Sequence, residues 1–314
     1  MKFDAGRRRT IKVIAAGMAS ASLGPELLRA PDASSMTAPM TGTIQSSGRR
    51  LPVIGMGTWQ TFNVGGDEQL RLARTEVVRA FVEHGGGMVD CSPMYGSSAA
   101  VMGFALERLG AAESVFSAEK VWTRDADQTR DQIAGQAAEW GLERFDLMQV
   151  HNLLGWEAHL ETLFEMKRKD EIGHVGVTTS HGRRHAELER VMERQPLDFV
   201  QLTYNVTHRE AEQRLLPLAR DKGIAVIANR PYDGGRLIKG IQTRHEVPGW
   251  AIDAFDCRNW ADFLLKFIVS HPAITCAIPA TTQVQHMHEN MRAGRGPMPT
   301  PELRERMVRH VESL

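Results

Sequence analysis

The sequence predicts a (β/α)8 barrel, and three observations carry that expectation. Eight short apolar runs follow one another between residues 53 and 279. Amphipathic stretches of helical spacing separate them, and short strands alternating with helices build parallel sheets from βαβ units. The eight units occupy about 240 residues, close to the ~250 that a closed barrel of this kind takes. An open doubly wound sheet is the alternative, but eight regular units favour closure.

The runs, in order, begin with Val53-Ile54-Gly55-Met56-Gly57 and Gly87-Met88-Val89-Asp90-Cys91. Those from Ser114 to Lys120, Asp146 to His151, His174 to Thr178 and Phe199 to Thr203 follow. Ile224 to Asn229 and Ile274 to Pro279 complete the set. Between the first two, residues 68–84 place Leu70, Ala73, Val77, Ala80 and Phe81 on one helical face. Further helices centre near 99–109, 127–140, 157–169, 183–194, 211–221, 259–270 and 284–293. Thr43-Ile44-Gln45 and Arg50-Leu51 suit a hairpin across the bottom of the barrel. The stretch from Tyr232 to Arg258, rich in Gly, Pro and charge, reads as a long loop on the side where barrels place their active sites. Thr300 and Pro301 read as N-cap and first residue of a final helix.

The 314 residues hold 38 basic and 38 acidic side chains, 42% hydrophobic residues and 6% aromatics. That is the composition of a globular protein with a large core, and it excludes a disordered chain, a collagen-like fibre or a disulfide-stapled scaffold. A zero balance gives no electrostatic reason to expect nucleic acid as a partner. The zero is uneven: residues 1–50 carry eight basic and three acidic side chains, a surplus of +5, which leaves −5 on the remainder. Basic residues through Lys12, an apolar run from Val13 to Ala19 and small residues at Ala19-Ser20-Ala21 have the order of a secretory signal. Arg8-Arg9 followed by Thr10-Ile11-Lys12 resembles the bacterial twin-arginine export motif, which implies a periplasmic protein exported already folded. The alternative is an uncleaved basic tail on a cytoplasmic protein. Residues 22–42 read as an unstructured spacer, so the expected division is 1–42 for signal and spacer and 43–314 for the barrel with its C-terminal helix. No apolar run is long enough to span a membrane. Cys91, Cys257 and Cys276 show neither CxxC nor metal-ligand spacing, and Cys91 and Cys276, inside apolar runs, read as buried free thiols.

Chemistry concentrates at strand ends. Asp90, Lys120 and His151 stand at the C-terminal ends of the second, third and fourth strands, and a barrel points those ends at one face. Tyr95 lies in the following loop, Ser92-Pro93-Met94-Tyr95-Gly96-Ser97, which leads onto the same face. Taken singly, each has an ordinary reading: a loop-capping aspartate, an exposed loop tyrosine, a surface lysine, a satisfied buried histidine. Their shared face turns the set toward catalysis. A metal-dependent hydrolase lacks its ligands, with no HxH on a strand and no paired carboxylates.

The Asp90-Cys91-Ser92-Pro93-Met94-Tyr95-Gly96 segment, the Lys120 strand, Gln149-Val150-His151-Asn152 and Gly55-Met56-Gly57-Thr58-Trp59 together resemble the aldo-keto reductases over roughly residues 43–293. The resemblance implies hydride transfer from a reduced nicotinamide to a small aldehyde or ketone. Tyr95 is then the general acid, Lys120 the charge that lowers its pKa, Asp90 the partner of Lys120, and His151 a donor to the carbonyl oxygen. It also implies an extended dinucleotide across the mouth, NADP(H) ahead of NAD(H), with no GxGxxG loop. Matched residue by residue, Gly57, Thr58, Trp59 and Asp90 lie by the nicotinamide, and Thr178 and Thr179 stand where the family commonly has Ser-Asn. Gln201 matches the strand-six glutamine, and Asn229 replaces the aromatic that stacks on the ring. Arg230, Tyr232 and Gly234 fall at the pyrophosphate, and Thr281, Glu289 and Asn290 at the adenosine. The two basic 2′-phosphate positions are Ala280 and His286, for which Arg292 is the expected substitute. Trp59, Trp122, Trp156 and Trp250 suggest an aromatic-lined pocket, and core packing explains them equally well. A different class of reading is a nicotinamide-binding, redox-sensing accessory protein without significant turnover.

Overall fold

A computed structural model describes residues 38–314. The stretch read as an export signal, and all but the end of the expected spacer, lie outside the described residues. The chain enters through a hairpin, β1 (Thr41–Thr43) and β2 (Arg50–Pro52), paired antiparallel with Thr41 opposite Pro52. β1 thus begins just inside the stretch read as spacer.

Eight parallel strands follow, with helices between them. They are β3 (Met56–Gly57), α1 (Glu68–Glu83), β4 (Met88–Asp90), α2 (Ser98–Leu109), β5 (Phe116–Val121), α3 (Thr129–Trp140), β6 (Leu147–Val150) and α4 (Trp156–Arg168). The second half runs β7 (His174–Thr178), α5 (His185–Arg194), β8 (Phe199–Thr203), α6 (Leu215–Lys222) and β9 (Ala225–Asn229). After it come α7 (Arg236–Gln242), α8 (Gly249–Phe255), α9 (Trp260–Val269), β10 (Cys276–Ala277), α10 (Val284–Ala293) and α11 (Pro301–Glu312). The strands neighbour one another in chain order from β3 to β10. A parallel bridge between Ile54 and Ala277 joins the two edges, supported by Gly55 N donating to Ala277 O at 2.8 Å and Ala277 N to Val53 O at 2.9 Å. The barrel is therefore all but closed, as expected.

Side chains alternate across a strand, and here the alternation sorts the chemistry. Outward residues such as Val89, Val121, Val150, Val177, Val200 and Val226 join the helices in the larger core. Inward residues nearest the strand starts, among them Met88, Phe116, Leu147, Phe199 and Ile227, form a separate apolar cluster with Ile44 and Leu51 of the hairpin. The hairpin thus floors the barrel. Two residues further along β4, β5, β6, β8 and β9, the same inward face carries Asp90, Ala118 and then Lys120, Gln149, Gln201 and Asn229. Gly176 leaves room for this layer, since a Cβ there would meet Phe199 O at 2.9 Å and Gln149 Cγ at 3.2 Å.

Two sequence expectations change. Leu70 is 42% exposed and Ala73 is exposed as well; the buried face of α1 is Thr75, Val77, Val78, Ala80 and Phe81, from the middle of the helix onward. None of residues 68–74 is buried, so the first two turns of α1 lie at the surface. The loop expected over 232–258 contains α7 and α8, because Gly235 and Pro248 stand at helix starts rather than excluding helix. The final helix starts as read, with Thr300 Oγ1 accepting from Leu303 N at 3.3 Å. Among the described residues no helix is long and apolar enough to cross a membrane, and all three cysteines are buried and free.

Candidate active site

The strand register brings the ionisable residues to one level. Asp90 lies beside Gly57 on one side and Ala118 on the other, and Lys120 lies beside Gln149. Lys120 Nζ donates to both oxygens of Asp90, at 2.8 and 2.7 Å, and to Cys91 O at 2.5 Å. Asp90 Oδ1 also accepts from Gln201 Nε2 at 2.7 Å and from Gln149 Nε2 at 3.4 Å. The ammonium is wholly buried and fully hydrogen-bonded, the condition under which a buried charge persists. Burial is the largest single influence and lowers its pKa, but electrostatic interaction with Asp90, Tyr95 and Glu119 and the hydrogen bond to Asp90 together outweigh it and hold the pKa above the ordinary lysine value.

Tyr95 follows on a short 3-10 turn, Pro93–Tyr95, which Ser92 caps by accepting from Met94 N. Its ring centroid is 5.1 Å from Lys120 Nζ, and the His151 ring stands edge-on at 5.7 Å. Lys120 lowers the phenol pKa, as expected, but does not set its net direction. Burial raises the pKa and is the largest influence; Lys120 pulls it down, yet the phenol stays above its ordinary value of 10.0. Tyr95 is therefore a neutral, protonated phenol at any ordinary pH. His151 begins a turn directly after β6 and is 5% exposed. Burial, then the charge of Lys120, push its pKa down to about 2, so the imidazole is neutral too. Its Nδ1 is 2.7 Å from Ser92 Oγ, and the Trp122 ring packs on it at 5.0 Å. Asn152 and Leu153 follow at φ 53° and 53°, a left-handed conformation costly for side-chain-bearing residues. Thr178 Oγ1, accepting from Asn152 N at 2.9 Å, and Arg184, donating to Asn152 O, hold that turn.

These groups open onto a cavity of about 820 Å3 at the C-terminal mouth. Asp90, Tyr95 and His151 line it, whereas Lys120 lies beneath. The reading of four groups sharing the pocket is thus corrected: the lysine acts on it through Asp90 and Tyr95. Every residue that the resemblance places along a dinucleotide borders this cavity: Gly57, Thr58, Trp59, Thr178, Thr179, Gln201, Asn229, Arg230, Tyr232, Gly234, Thr281, His286, Glu289 and Asn290. Four buried polar atoms on its wall have no protein partner: Thr61 Oγ1, Thr179 Oγ1, Arg230 Nε and Asn290 Nδ2. Such atoms cost about 1–3 kcal/mol each unless something hydrogen-bonds them. Arg183, Arg184, Arg230 and Lys239 line the wall against Asp90 and Glu289, a charge balance that suits a phosphate-bearing ligand. The residues present therefore fit a nicotinamide dinucleotide.

Details depart from expectation. Arg292 pairs with Asp262 and does not reach the cavity, so it does not replace the missing 2′-phosphate cations. Trp59 and Trp122 line the pocket, but Trp156 and Trp250 pack against the core because their helices lie outside the barrel wall. Asn229 offers no ring; its amide donates to Thr179 O at 2.8 Å and its oxygen accepts from Thr203 Oγ1 at 2.7 Å. Sequence reasoning missed Gln149, Ser92, Arg183 and Lys239. It also missed Glu119, wholly buried on the outer face of β5, which accepts from Lys120 N and from Trp140 Nε1 at 3.0 Å. Burial raises that carboxyl to about 7. A charged residue inside an apolar strand was the available signal for it.

The Aldo/keto reductase family model matches residues 53–249. Methylglyoxal reductase YeaE of Escherichia coli (strain K12) is 30% identical over 259 residues, covering 79% of this chain and 87% of that protein. The NADH-specific methylglyoxal reductase of the same organism is 26% identical over 240 residues, covering 64% and 69%. Among solved structures, an aldo/keto reductase from Klebsiella pneumoniae in complex with NADP and acetate superimposes with a TM-score of 0.74 at 21% identity, covering 86% of this chain and 95% of that one. That last likeness concerns the fold.

Proposed function

The chain belongs to the aldo/keto reductase family, an oxidoreductase family acting on small carbonyl compounds, and on that premise we propose that it reduces an aldehyde or ketone at the expense of NAD(P)H, with Tyr95 as general acid. The observation that carries the reading is the buried Asp90–Lys120 pair set directly beneath a protonated phenol and a neutral imidazole that both face one cavity. When bound, the dinucleotide supplies the hydride. The chain supplies geometry and field. His151 offers an N–H to the carbonyl oxygen and orients it. Tyr95 gives that oxygen its proton as negative charge grows there. The Lys120 ammonium, held by Asp90, stabilises the phenolate left behind. Trp59, Met94, Trp122 and Leu154 make the mouth apolar, which weakens competition from water.

Methylglyoxal is the first substrate to test, because two relatives are methylglyoxal reductases. NADP(H) is the proposed cofactor, with weak discrimination against NAD(H). Support for the first part is the NADP complex of the Klebsiella protein. The second follows from Ala280 and His286, neither a permanent cation, and from an Arg292 engaged elsewhere. Purified protein should oxidise NADPH, and NADH less efficiently, when given methylglyoxal. Tight dinucleotide binding with no turnover across a broad carbonyl panel would defeat the proposal and favour an accessory role.

A pH prediction arises here. With its pKa near 2, His151 does not titrate in the working range. A His151→Gln variant should be slower but should keep the shape of the wild-type kcat–pH profile. Loss of an acidic limb in the variant would show that the imidazole does ionise.

A further inference from the structure

We propose that Ser92 is a positioning residue for the reduction: it fixes the tautomer of His151, leaving Nε2 as the protonated nitrogen available to the carbonyl oxygen. The inference rests on the reductase reading for its catalytic consequence, but its structural content stands on hydrogen-bond accounting. Ser92 is fully buried. Its Oγ already accepts from Met94 N at 3.2 Å and lies 2.7 Å from His151 Nδ1. A hydroxyl has one proton to give and two lone pairs to receive with. If Nδ1 were protonated, Oγ would accept twice and its own proton would have no acceptor in a fully buried place. A buried donor without a partner is strongly disfavoured. The satisfied arrangement has Met94 N–H donating to Oγ and Oγ–H donating to Nδ1. Nδ1 is then the acceptor, and the neutral ring carries its hydrogen on Nε2.

That choice decides what the ring does. His151 borders the cavity, and Nδ1 is the nitrogen that is hydrogen-bonded to the protein. With Nε2 protonated, the ring presents a donor to the lone pairs of a substrate oxygen; the other tautomer would present a lone pair and repel it. Ser92 also lies three residues before Tyr95 and caps the turn that carries it. One side chain therefore sets both the tautomer of the hydrogen-bond donor and the seat of the acid.

The test has two arms on the full-length protein. The first is nitrogen NMR of 15N-histidine-labelled protein without cofactor, with His151→Gln used to assign the resonance. The expected result is a protonated Nε2 and an unprotonated, hydrogen-bonded Nδ1 in wild type, and a mixed or shifted tautomer in Ser92→Ala. The second is kinetics with NADPH and methylglyoxal. Ser92→Ala should lose about tenfold in kcat, the worth of one ordinary hydrogen bond, with KM for NADPH unchanged; Ser92→Thr, which keeps the hydroxyl, should recover most of it. A protonated Nδ1 in wild type would overturn the proposal, and that result does not depend on Ser92→Ala folding. So would a Ser92→Ala protein with wild-type tautomer and kcat. Wild-type protein that turns over no carbonyl would instead defeat the reductase reading, and the nitrogen assignment would still decide what Ser92 does to His151.

Discussion

Tyr95→Phe is expected to lower kcat for carbonyl reduction by about 10²–10⁴-fold, the usual contribution of a general acid, while leaving NADPH affinity unchanged. The substitution removes one oxygen and keeps the ring, so its packing against His151 and its position 5.1 Å from the Lys120 ammonium persist. What disappears is the proton. No other described group can replace it: His151 is neutral with a pKa near 2 and does not hold a second proton to give, and the Lys120 ammonium is buried beneath the cavity with its hydrogens on Asp90 and Cys91 O. Stopped-flow hydride transfer and equilibrium NADPH binding on the same preparation separate the two effects. Wild-type kcat in Tyr95→Phe would remove the phenol from the mechanism.

Lys120→Met should be costly in stability as well as activity. The change leaves the Asp90 carboxylate buried, 2% exposed, with no counter-charge. Breaking a buried pair from one side typically costs about 3–5 kcal/mol, read as a lower urea midpoint with an unchanged slope. Gln201 and Gln149 would still donate to Asp90 Oδ1, which moderates the loss without cancelling it. The paired substitution Asp90→Asn with Lys120→Met should be markedly more stable than Lys120→Met alone, because no unpaired charge remains, yet it should be just as inactive. Equal stability of the single and double variants would show that the pair is not coupled in the way its 2.7 Å contact implies.

Much of this was readable along the chain. All eight apolar runs contain barrel strands, although the strands at the seam are shorter than the runs: β3 is two residues and β10 two. The ends of a βαβ pattern are local features, so Asp90, Lys120 and His151 could be set on one face before any coordinates. Other features were beyond that reach. Leu70 has the right spacing for a core face but lies in the first turn of α1, where no side chain is buried. Arg292 stands on the right helix, yet Asp262, thirty residues away in sequence, holds it. Ser92 and His151 are separated by 59 residues, and nothing in either neighbourhood announces their contact.

By itself, then, the sequence determined the order of elements, the closure of the barrel and which side chains end the strands, since backbone periodicity and alternation depend on near neighbours. Tertiary structure alone decided the protonation states and the reach of each group. Lys120 came to lie under the cavity rather than in it, the phenol of Tyr95 kept its proton more firmly despite the adjacent cation, and the imidazole of His151 lost its capacity to charge. The physical reason is that desolvation and Coulomb interaction depend on distance through space and on exclusion of water, quantities set only when strands distant in sequence are assembled around one mouth.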